Sequence, residues 1–466
     1  MKLPLILYTI SNVLTSHGAQ AIIVGGAVRD YILNTPVKDY DIEVYNIESI
    51  DSLQDVLANY GSINLVGKSF GILKLVYDGS EYDFSIPRTE SKSGMGHKGF
   101  KVKIDGNISF KKAAKRRDFT INSMGYDIKS KTIIDPYNAQ KDIRTKTLRH
   151  IDDHTFIEDP LRVYRAIQFA ARFEMQIDEK TKELCTSMIS KDILDELPKE
   201  RVYEEWKKLL LKSKKPSIGF ELMRDVGIIE RYFPELHALI GVIQSPKWHP
   251  EGDVWTHTMM ALDKMTGILK SQDIAEKEKL KLLFSILCHD LGKPSTTTIE
   301  KDGRIRAIGH EKEGVEPTCS LLRRLTDEHS FIKSILPLVE HHLKPSQFYT
   351  QGAKASTIRR LAVKVNIEEL VLVAKADFLG RTTKEALLGH YKAGDWLTKQ
   401  ARDLNIKNRP LKAMIQGRDL IALGMSPSPK FKTILSSLYE EQLDGAFSNK
   451  DEAFKYIRKH FMNYQA

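Results

Sequence analysis

The chain has 466 residues, 41% hydrophobic and 28% charged, which reads as globular and soluble and argues against a disordered chain. Its length exceeds one ordinary core, so two to four domains are expected. A formal net charge of +10 points to a polyanionic partner, and no apolar stretch reaches the length of a membrane span.

Lys2 and the apolar Leu3-Pro4-Leu5-Ile6-Leu7 can open a signal peptide, but Ser11, Asn12, Ser16 and His17 interrupt the run. Ile6, Ile10, Val13 and Leu14 fall instead at helical spacing, predicting an amphipathic helix on the first sheet. Residues 20 to about 140 mix strands and helices, with strands at Ala21–Val24, Asp41–Tyr45 and Ile72–Tyr77. From about residue 155 to 240 the pattern turns helical, as in Leu161–Phe173 and Arg201–Leu211. A turn-rich boundary at residues 244–250 precedes a second stretch, expected to be all-helical, to about residue 400. Asn408-Arg409-Pro410 then breaks the pattern before a helical tail. Cys185, Cys288 and Cys319 form no disulfide framework and no CxxC pair, which fits a reducing, cytoplasmic setting.

Two constellations carry chemistry. In the first, Val24-Gly25-Gly26-Ala27-Val28-Arg29-Asp30 follows a strand and opens a helix, letting backbone approach a phosphate, with Arg29 as a charge-assisted donor. Asp39 and Asp41 then alternate along a strand, so both carboxylates share a face and call for a cation, Mg²⁺ in nucleotide chemistry. Asp83 is a candidate third carboxylate from a neighbouring strand. Lys115-Arg116-Arg117-Asp118 combines cations for phosphates with an acceptor for a ribose hydroxyl. Asp159, Arg162 and Arg165 are spaced by helical turns, and an Asp beside an Arg can read the edge of a base.

The second constellation is the ordered series His257, His289-Asp290, His310, His341-His342 and Asp377. Imidazole and carboxylate donors suit a borderline divalent ion such as Mn²⁺, Ni²⁺, Zn²⁺ or Fe²⁺. Each falls on a predicted helix or at its end, as a site between packed helices requires.

The runs GGAVRD, DYDIE, RRDFTIN and EDPLRVYRAIQFAARF, in this order, resemble the bacterial class II tRNA nucleotidyltransferases, the CCA-adding enzymes, over roughly residues 20–240. Arg88 to Gly94 and Glu200-Arg201-Val202 extend the likeness. The His-Asp series resembles the HD phosphohydrolase superfamily, and its flanks look like the HD domain fused to CCA-adding enzymes in many proteobacteria.

The resemblance implies an α+β nucleotidyltransferase head followed by all-α neck, HD and tail domains, at residues 1–150, 151–243, 244–401 and 402–466. It implies that Gly26 and Arg29 contact the nucleotide and that Asp39 and Asp41 hold Mg²⁺. Arg117 and Asp118 handle phosphate and ribose, while Asp159 and Arg162 form a protein template for CTP and then ATP, helped by Arg165. His257, His289, Asp290 and Asp377 match the minimal HD ligand set, for Ni²⁺, Mn²⁺ or a similar transition metal. His310, His341 and His342 fall in the order of dinuclear relatives, so Asp290 is expected to bridge to a second ion held by His310 and one or both of the other two. Hydrolysis of 2′,3′-cyclic and 2′ phosphates is the implied HD activity.

The partners implied are tRNA, CTP and ATP, in a cytoplasmic monomer or homodimer without a membrane. Candidate tRNA phosphate contacts are Lys207, Lys208, Lys212, Lys214, Lys215, Lys407 and Arg409. Alternatives are a bacterial poly(A) polymerase, an A-adding partner of a split CCA system, or a catalytically silent RNA-binding module. Against the first, Val66 to Leu73 lacks an arginine cluster; a full-length segment from Thr89 to Ala114 favours complete CCA addition. Intact carboxylates argue against the last.

Overall fold

The computed structural model describes residues 1–64, 72–92 and 100–461. The expectations drawn from Val66 to Leu73 and from Thr89 to Ala114 lie partly outside the described residues. The chain divides into two compact units, Met1–Ser213 with Ile218–Ile228, and Lys214–Ser217 with Ile229–Ala466. Among the described residues no helix is long and apolar enough to cross a membrane.

The first unit is built on strands β1 (Gln20–Val24), β2 (Tyr40–Tyr45), β3 (Ser62–Asn64), β4 (Ile72–Tyr77), β5 (Ser80–Ser85), β6 (Arg88–Lys92), β7 (Phe100–Ile104), β8 (Gly125–Asp127) and β9 (Thr132–Ile134). Seven of them form one sheet in the order β3-β4-β5-β2-β1-β8-β9, and β6 pairs with β7 separately. β1 has neighbours on both sides and buries Ala21 through Val24, so it reads as an unbroken apolar run. β2 and β5 run parallel, in a register that sets Asp41 opposite Asp83. Leu5–Ser16 is the expected amphipathic helix, burying Ile6, Ile10 and Leu14 together with Leu7 and Ser11, while Val13 is half-buried.

Helices dominate after residue 150. Pro160, with its φ already near the helical value, caps Leu161–Phe173, which packs along Lys199–Lys212. Trp206 of the latter is fully buried edge-on against Phe220, ring centroids 5.1 Å apart. A short parallel pair, Thr147–Leu148 with Gln176–Ile177, adds strand to the neck, which was expected to be all-helical.

The second unit packs Val254–Leu269, Glu276–Cys288, His329–His341, Ile367–Gly380 and Lys392–Asp403. Glu276–Cys288 is central; every residue from Leu282 to Cys288 is buried, apolar but for Ser285, whose hydroxyl donates to the Lys281 carbonyl at 2.8 Å. The expectation of unbroken helix fails at Thr297–Ile299 and Ile305–Ala307, which pair as an antiparallel hairpin. Its physical cause is local: a β-branched Thr-Thr-Ile run precedes an Asp302-Gly303 turn, in which Gly303 donates to the Glu300 carbonyl at 2.9 Å. The tail helices Gly417–Ala422, Lys430–Asp444 and Lys450–Phe461 enclose a small core around Leu420, Leu438 and Ile457.

At Gly380 the Ile367–Gly380 helix packs directly on the backbone of Ala261 in Val254–Leu269. A Cβ placed there would stand 2.8 Å from the Ala261 Cα and 2.9 Å from its Cβ. These helices carry Asp377 and His257. Gly380→Ala is expected to force them apart, destabilising the unit by about 1–3 kcal/mol. Chemical unfolding of the full chain should show this in the transition of the second unit, with a parallel loss of bound metal.

Candidate active site and candidate metal centre

One pocket in the first unit is lined by Gly25, Gly26, Arg29, Asp41, Arg88, Arg116, Arg117, Asp118, Asn122, Asp159, Arg162, Arg165 and Phe169. Most predicted residues of the first constellation are therefore brought together there; Lys115, Asp83 and Asp39 stand outside that lining, Asp39 exposed just before β2. Gly25 has φ +71°, and a Cβ on it would stand 2.8 Å from Arg117 Nη1, so only glycine leaves this guanidinium its place.

The arginines are held by buried acids. Glu43 is 2% exposed and accepts from Arg116 Nη2 at 2.9 Å, Arg117 Nη2 at 3.0 Å and the Tyr45 hydroxyl at 2.8 Å. Burial alone would raise its pKa, but the two guanidiniums outweigh that and hold it below the ordinary value. Asp118 accepts from Arg165 Nε at 2.8 Å, Asn122 Nδ2 at 2.9 Å and the Phe119 amide at 2.8 Å. Its pKa is likewise lowered, burial being outweighed by Arg165 and Asn122.

Arg29 is buried and fully engaged: Nε donates to Asp30 at 2.8 Å and Nη1 to Asn122 Oδ1 at 2.6 Å. Nη2 lies 2.7 Å from Asp30, and the guanidinium carbon sits 4.7 Å from the Phe173 ring centre. Arg162 donates Nη1 to the Thr155 carbonyl and Nη2 to the Arg116 carbonyl, each at 2.7 Å. Asp159 accepts from the Leu161 amide at 3.2 Å and faces Arg201 Nη2 at 3.5 Å.

Asp41 behaves differently from Glu43. Loss of solvent raises its pKa, Arg117 opposes this, and Asp83, Asp39 and Glu43 raise it further. A carboxylate crowded by carboxylates fits a site for a divalent cation. Asp83 is less committed to that site, since Lys74 Nζ also lies 3.8 Å from it.

The tight groups of ligating side chains among the described residues lie in the second unit: His257, His289 and Asp377; Asp290, His310 and His342; and His249, Glu251 and His257. His257 opens one helix, His289 and Asp290 end the central helix, and His310 follows the hairpin. His342 follows another helix end, and Asp377 lies near the end of Ile367–Gly380.

Each imidazole is oriented through Nδ1. That atom meets the carbonyls of Ile286, Ala307 and Val339 at 2.7 Å in His289, His310 and His342, and Glu251 at 2.8 Å in His257. A carbonyl only accepts, so in those three rings Nδ1 carries a proton, and the lone pair that a neutral ring offers to a metal is the one on Nε2, which faces the centre. None of those three Nε2 atoms makes a hydrogen bond, although all are buried.

They crowd against carboxylates instead. His289 Nε2 is 3.1 Å from Asp290 Oδ2, His310 Nε2 is 3.3 Å from Asp290 Oδ1, and His257 Nε2 is 3.1 Å from Asp377 Oδ1. Two donors bound at about 2.1 Å to one ion stand roughly 3.0–3.4 Å apart, so these are ligand-to-ligand spacings. Burial, reinforced by the neighbouring rings, pushes His342 down to about 3, leaving it neutral as a ligand must be. The donor set fits borderline divalent metal, with Asp290 touching both groups.

His341 is not among these groups. Consecutive helical residues point about 100° apart, so when His342 faces the cluster its neighbour turns away. Four residues the sequence reading passed over support the site. Glu251 holds His257 and accepts from the Thr382 amide at 3.0 Å, and Arg381 Nη2 donates to both Asp377 oxygens at 2.9 and 3.1 Å. Lys293 Nζ reaches Asp290 Oδ2 at 2.7 Å and Gln244 Oε1 at 2.6 Å. Of the candidate phosphate contacts, Lys207, Lys208 and Lys407 are in ion pairs with Glu204, Glu205 and Glu368, while Lys212, Lys214, Lys215 and Arg409 are exposed.

Comparison with known proteins places family likenesses along most of the chain. Residues 21–149 match the Poly A polymerase head domain, 174–240 the probable RNA and SrmB-binding site of polymerase A, and 254–381 the HD domain. A Multifunctional CCA protein of Mannheimia succiniciproducens is 36% identical over 373 residues, 78% of this chain and 84% of the relative. Its namesake in Pseudoalteromonas atlantica is 35% identical, over 78% of this chain and 86% of the relative. A Bacillus stearothermophilus CCA-adding enzyme solved with CTP superposes with TM-score 0.66 at 21% identity, covering 99% of this chain and 100% of that one. A Thermotoga maritima CCA-adding enzyme complexed with tRNA gives 0.60 at 18%, over 97% and 94% of the two chains.

Glu251→Gln should weaken metal binding by about 10- to 100-fold, because the amide fixes His257 without the charge that makes its ring a stronger donor. Competitive titration with a chromogenic chelator measures this directly.

Proposed function

Because the chain belongs to the family of the multifunctional CCA proteins, we propose that it adds and repairs the 3′-terminal CCA of tRNA. CMP and AMP are transferred from CTP and ATP without a nucleic-acid template. The observation that carries this reading is the convergence of Asp41, Arg117, Asp118, Asp159, Arg162 and Arg165 on one pocket.

Asp41, with Asp39, would hold Mg²⁺; when bound, it favours ionisation of an attacking hydroxyl and neutralises a departing pyrophosphate. The nucleophile is the 3′ hydroxyl of the tRNA, so no Ser, Cys or His nucleophile is needed. Arg117, pinned by Glu43, faces the triphosphate. Asp118, pinned by Arg165, orients the ribose. Asp159 and Arg162 present acceptor and donors to the base edge, while Arg29 braces the Gly26 turn beside the nucleotide.

The HD domain hydrolyses 2′,3′-cyclic and 2′ phosphates. His257, His289, Asp290 and Asp377 would hold one transition metal, Ni²⁺ or Mn²⁺ fitting this donor set, and Asp290, His310 and His342 a second. Lewis-acid activation of water and phosphate is the chemistry such ions supply. The chain acts in the cytoplasm, as monomer or homodimer.

The deciding experiment supplies tRNA ending before CCA with CTP alone, ATP alone or both, and sequences the products. CC with CTP alone and CCA with both is the expected result. Long A tails would point to a poly(A) polymerase, and activity only on CC ends to an A-adding partner. Asp41→Ala should lower incorporation by about 10²–10³-fold while phosphohydrolysis stays near wild type, because the carboxylates and the HD ligands belong to different units. Arg162→Ala should degrade selection among the four nucleotides more than tRNA affinity, which spreads over many phosphate contacts. Unchanged selectivity with lost tRNA binding would place Arg162 on the RNA instead.

A further inference from the structure

The pocket over the metal centre has a wall that phosphate chemistry alone does not require. Asp290, His310, His342 and Asp377 form its floor, and Gln244, Trp248 and Arg306 are among its sides. The Trp248 indole is 56% exposed, and Ile243 on the same opening is 47% exposed. Lone exposed apolar side chains are ordinary, but an indole bordering a pocket floored by metal-ligating groups faces whatever ligand enters.

The indole is presented on a fixed turn. The Trp248 and His249 amides donate to the Ser245 carbonyl at 3.0 and 2.9 Å. Gln244, 8% exposed, anchors that turn by accepting from Lys293 at 2.6 Å, which also contacts Asp290. Ring and metal floor are thus tied through two hydrogen-bonded side chains. Lys247 Nζ lies 5.2 Å from the ring centre, adding positive charge for a phosphate-bearing ligand.

We propose that Trp248 is a base-stacking wall that makes the HD pocket selective for a nucleoside phosphate over a bare phosphate ester. Any base offers a π face, so the wall tolerates A or C and suits an RNA terminus of variable sequence. This inference rests on the hydrolase reading above.

The test uses the full chain loaded with Ni²⁺ or Mn²⁺. Wild type, Trp248→Ala and Trp248→Phe are assayed on adenosine 2′,3′-cyclic phosphate, on a tRNA ending in that group, and on glycerol 1,2-cyclic phosphate, which has the same reactive ring and no base. Calorimetry of adenosine 2′-monophosphate gives affinity without turnover. In Trp248→Ala the kcat/KM ratio of nucleoside to glycerol substrate should fall about 5- to 100-fold, mainly through KM, with most of it restored in Trp248→Phe. The nucleotide should bind more weakly by a similar factor.

A ratio within twofold of wild type overturns the proposal. So does a fall seen with the tRNA and absent with the mononucleotide, which would assign the ring to an upstream RNA contact. If wild type hydrolyses none of the three, the hydrolase reading fails, and calorimetry alone decides the wall: weaker binding by Trp248→Ala upholds it, equal binding defeats it.

Discussion

Glu43 sits in the middle of a sheet with its charge intact, and the first pocket is arranged around meeting that charge. An unpaired carboxylate at such a position would cost several kcal/mol, and removing one partner of a buried pair costs about 3–5 kcal/mol. Arg116 and Arg117 answer it, which fixes where the second face of each guanidinium points. Asp118 and Arg165 repeat the device, and Asn122 ties Arg29 to it by accepting from Arg29 and donating to Asp118. Cations fixed by burial arrive at the pocket already oriented, so a bound triphosphate would order few side chains. Exposed pairs such as Lys207–Glu204 do nothing comparable, being worth about 0–1 kcal/mol.

The metal centre obeys the same constraint with a different answer. Asp290 and Asp377 are held well below the ordinary carboxylate range although burial acts the other way, by His289 and Lys293 at the first and chiefly by Arg381 at the second. One Lys and one Arg do not use up the donors present. Nε2 of His289, His310 and His342 remains buried without a hydrogen bond. In the first pocket every buried acid is paid off in guanidinium hydrogen bonds; in the second, buried donors are left over and aimed at one another. Leftover convergent lone pairs are the signature of a place made for ions rather than for an ion pair.

The chemistry-bearing residues were legible because alternation and helical spacing constrain them strongly. Asp41, Asp118, Asp159 and Arg165 come together as the motifs imply, and all of the His-Asp series but His341 closes into two groups, Asp290 of one lying 3.1 Å from His289 of the other. The supporting residues were not legible. Glu43 continues the alternation of Asp39 and Asp41 on one face of β2, a signal present in the sequence, but nothing local says that the third acid turns inward to hold arginines more than seventy residues away. Glu251 and Arg381 are likewise fixed by tertiary contacts. His341 shows the limit of order-based reasoning: a His-His pair on a helix offers one ring to a site, and the phase of the helix decides which. The hairpin before His310 was a missed local signal, Asp-Gly after a β-branched run, read as helix because its surroundings are helical.

Each site draws all its described side chains from its own unit, so neither depends on the other for a ligand. On the function proposed above, the head needs a terminal hydroxyl as nucleophile, and a terminus blocked by a cyclic or 2′ phosphate does not provide one in the geometry required for transfer. A hydrolase converting such ends to hydroxyls produces the substrate the head consumes. The two chemistries also demand opposite settings: cations fixed by guanidinium hydrogen bonds to grip a triphosphate, and imidazole lone pairs left free to grip a metal. A single pocket holding both would let buried carboxylates pair with the arginines and leave the imidazoles without a metal. Separate folding units give each chemistry its own side chains, and Arg381, beside the histidine cluster, has its Nη2 spent on Asp377.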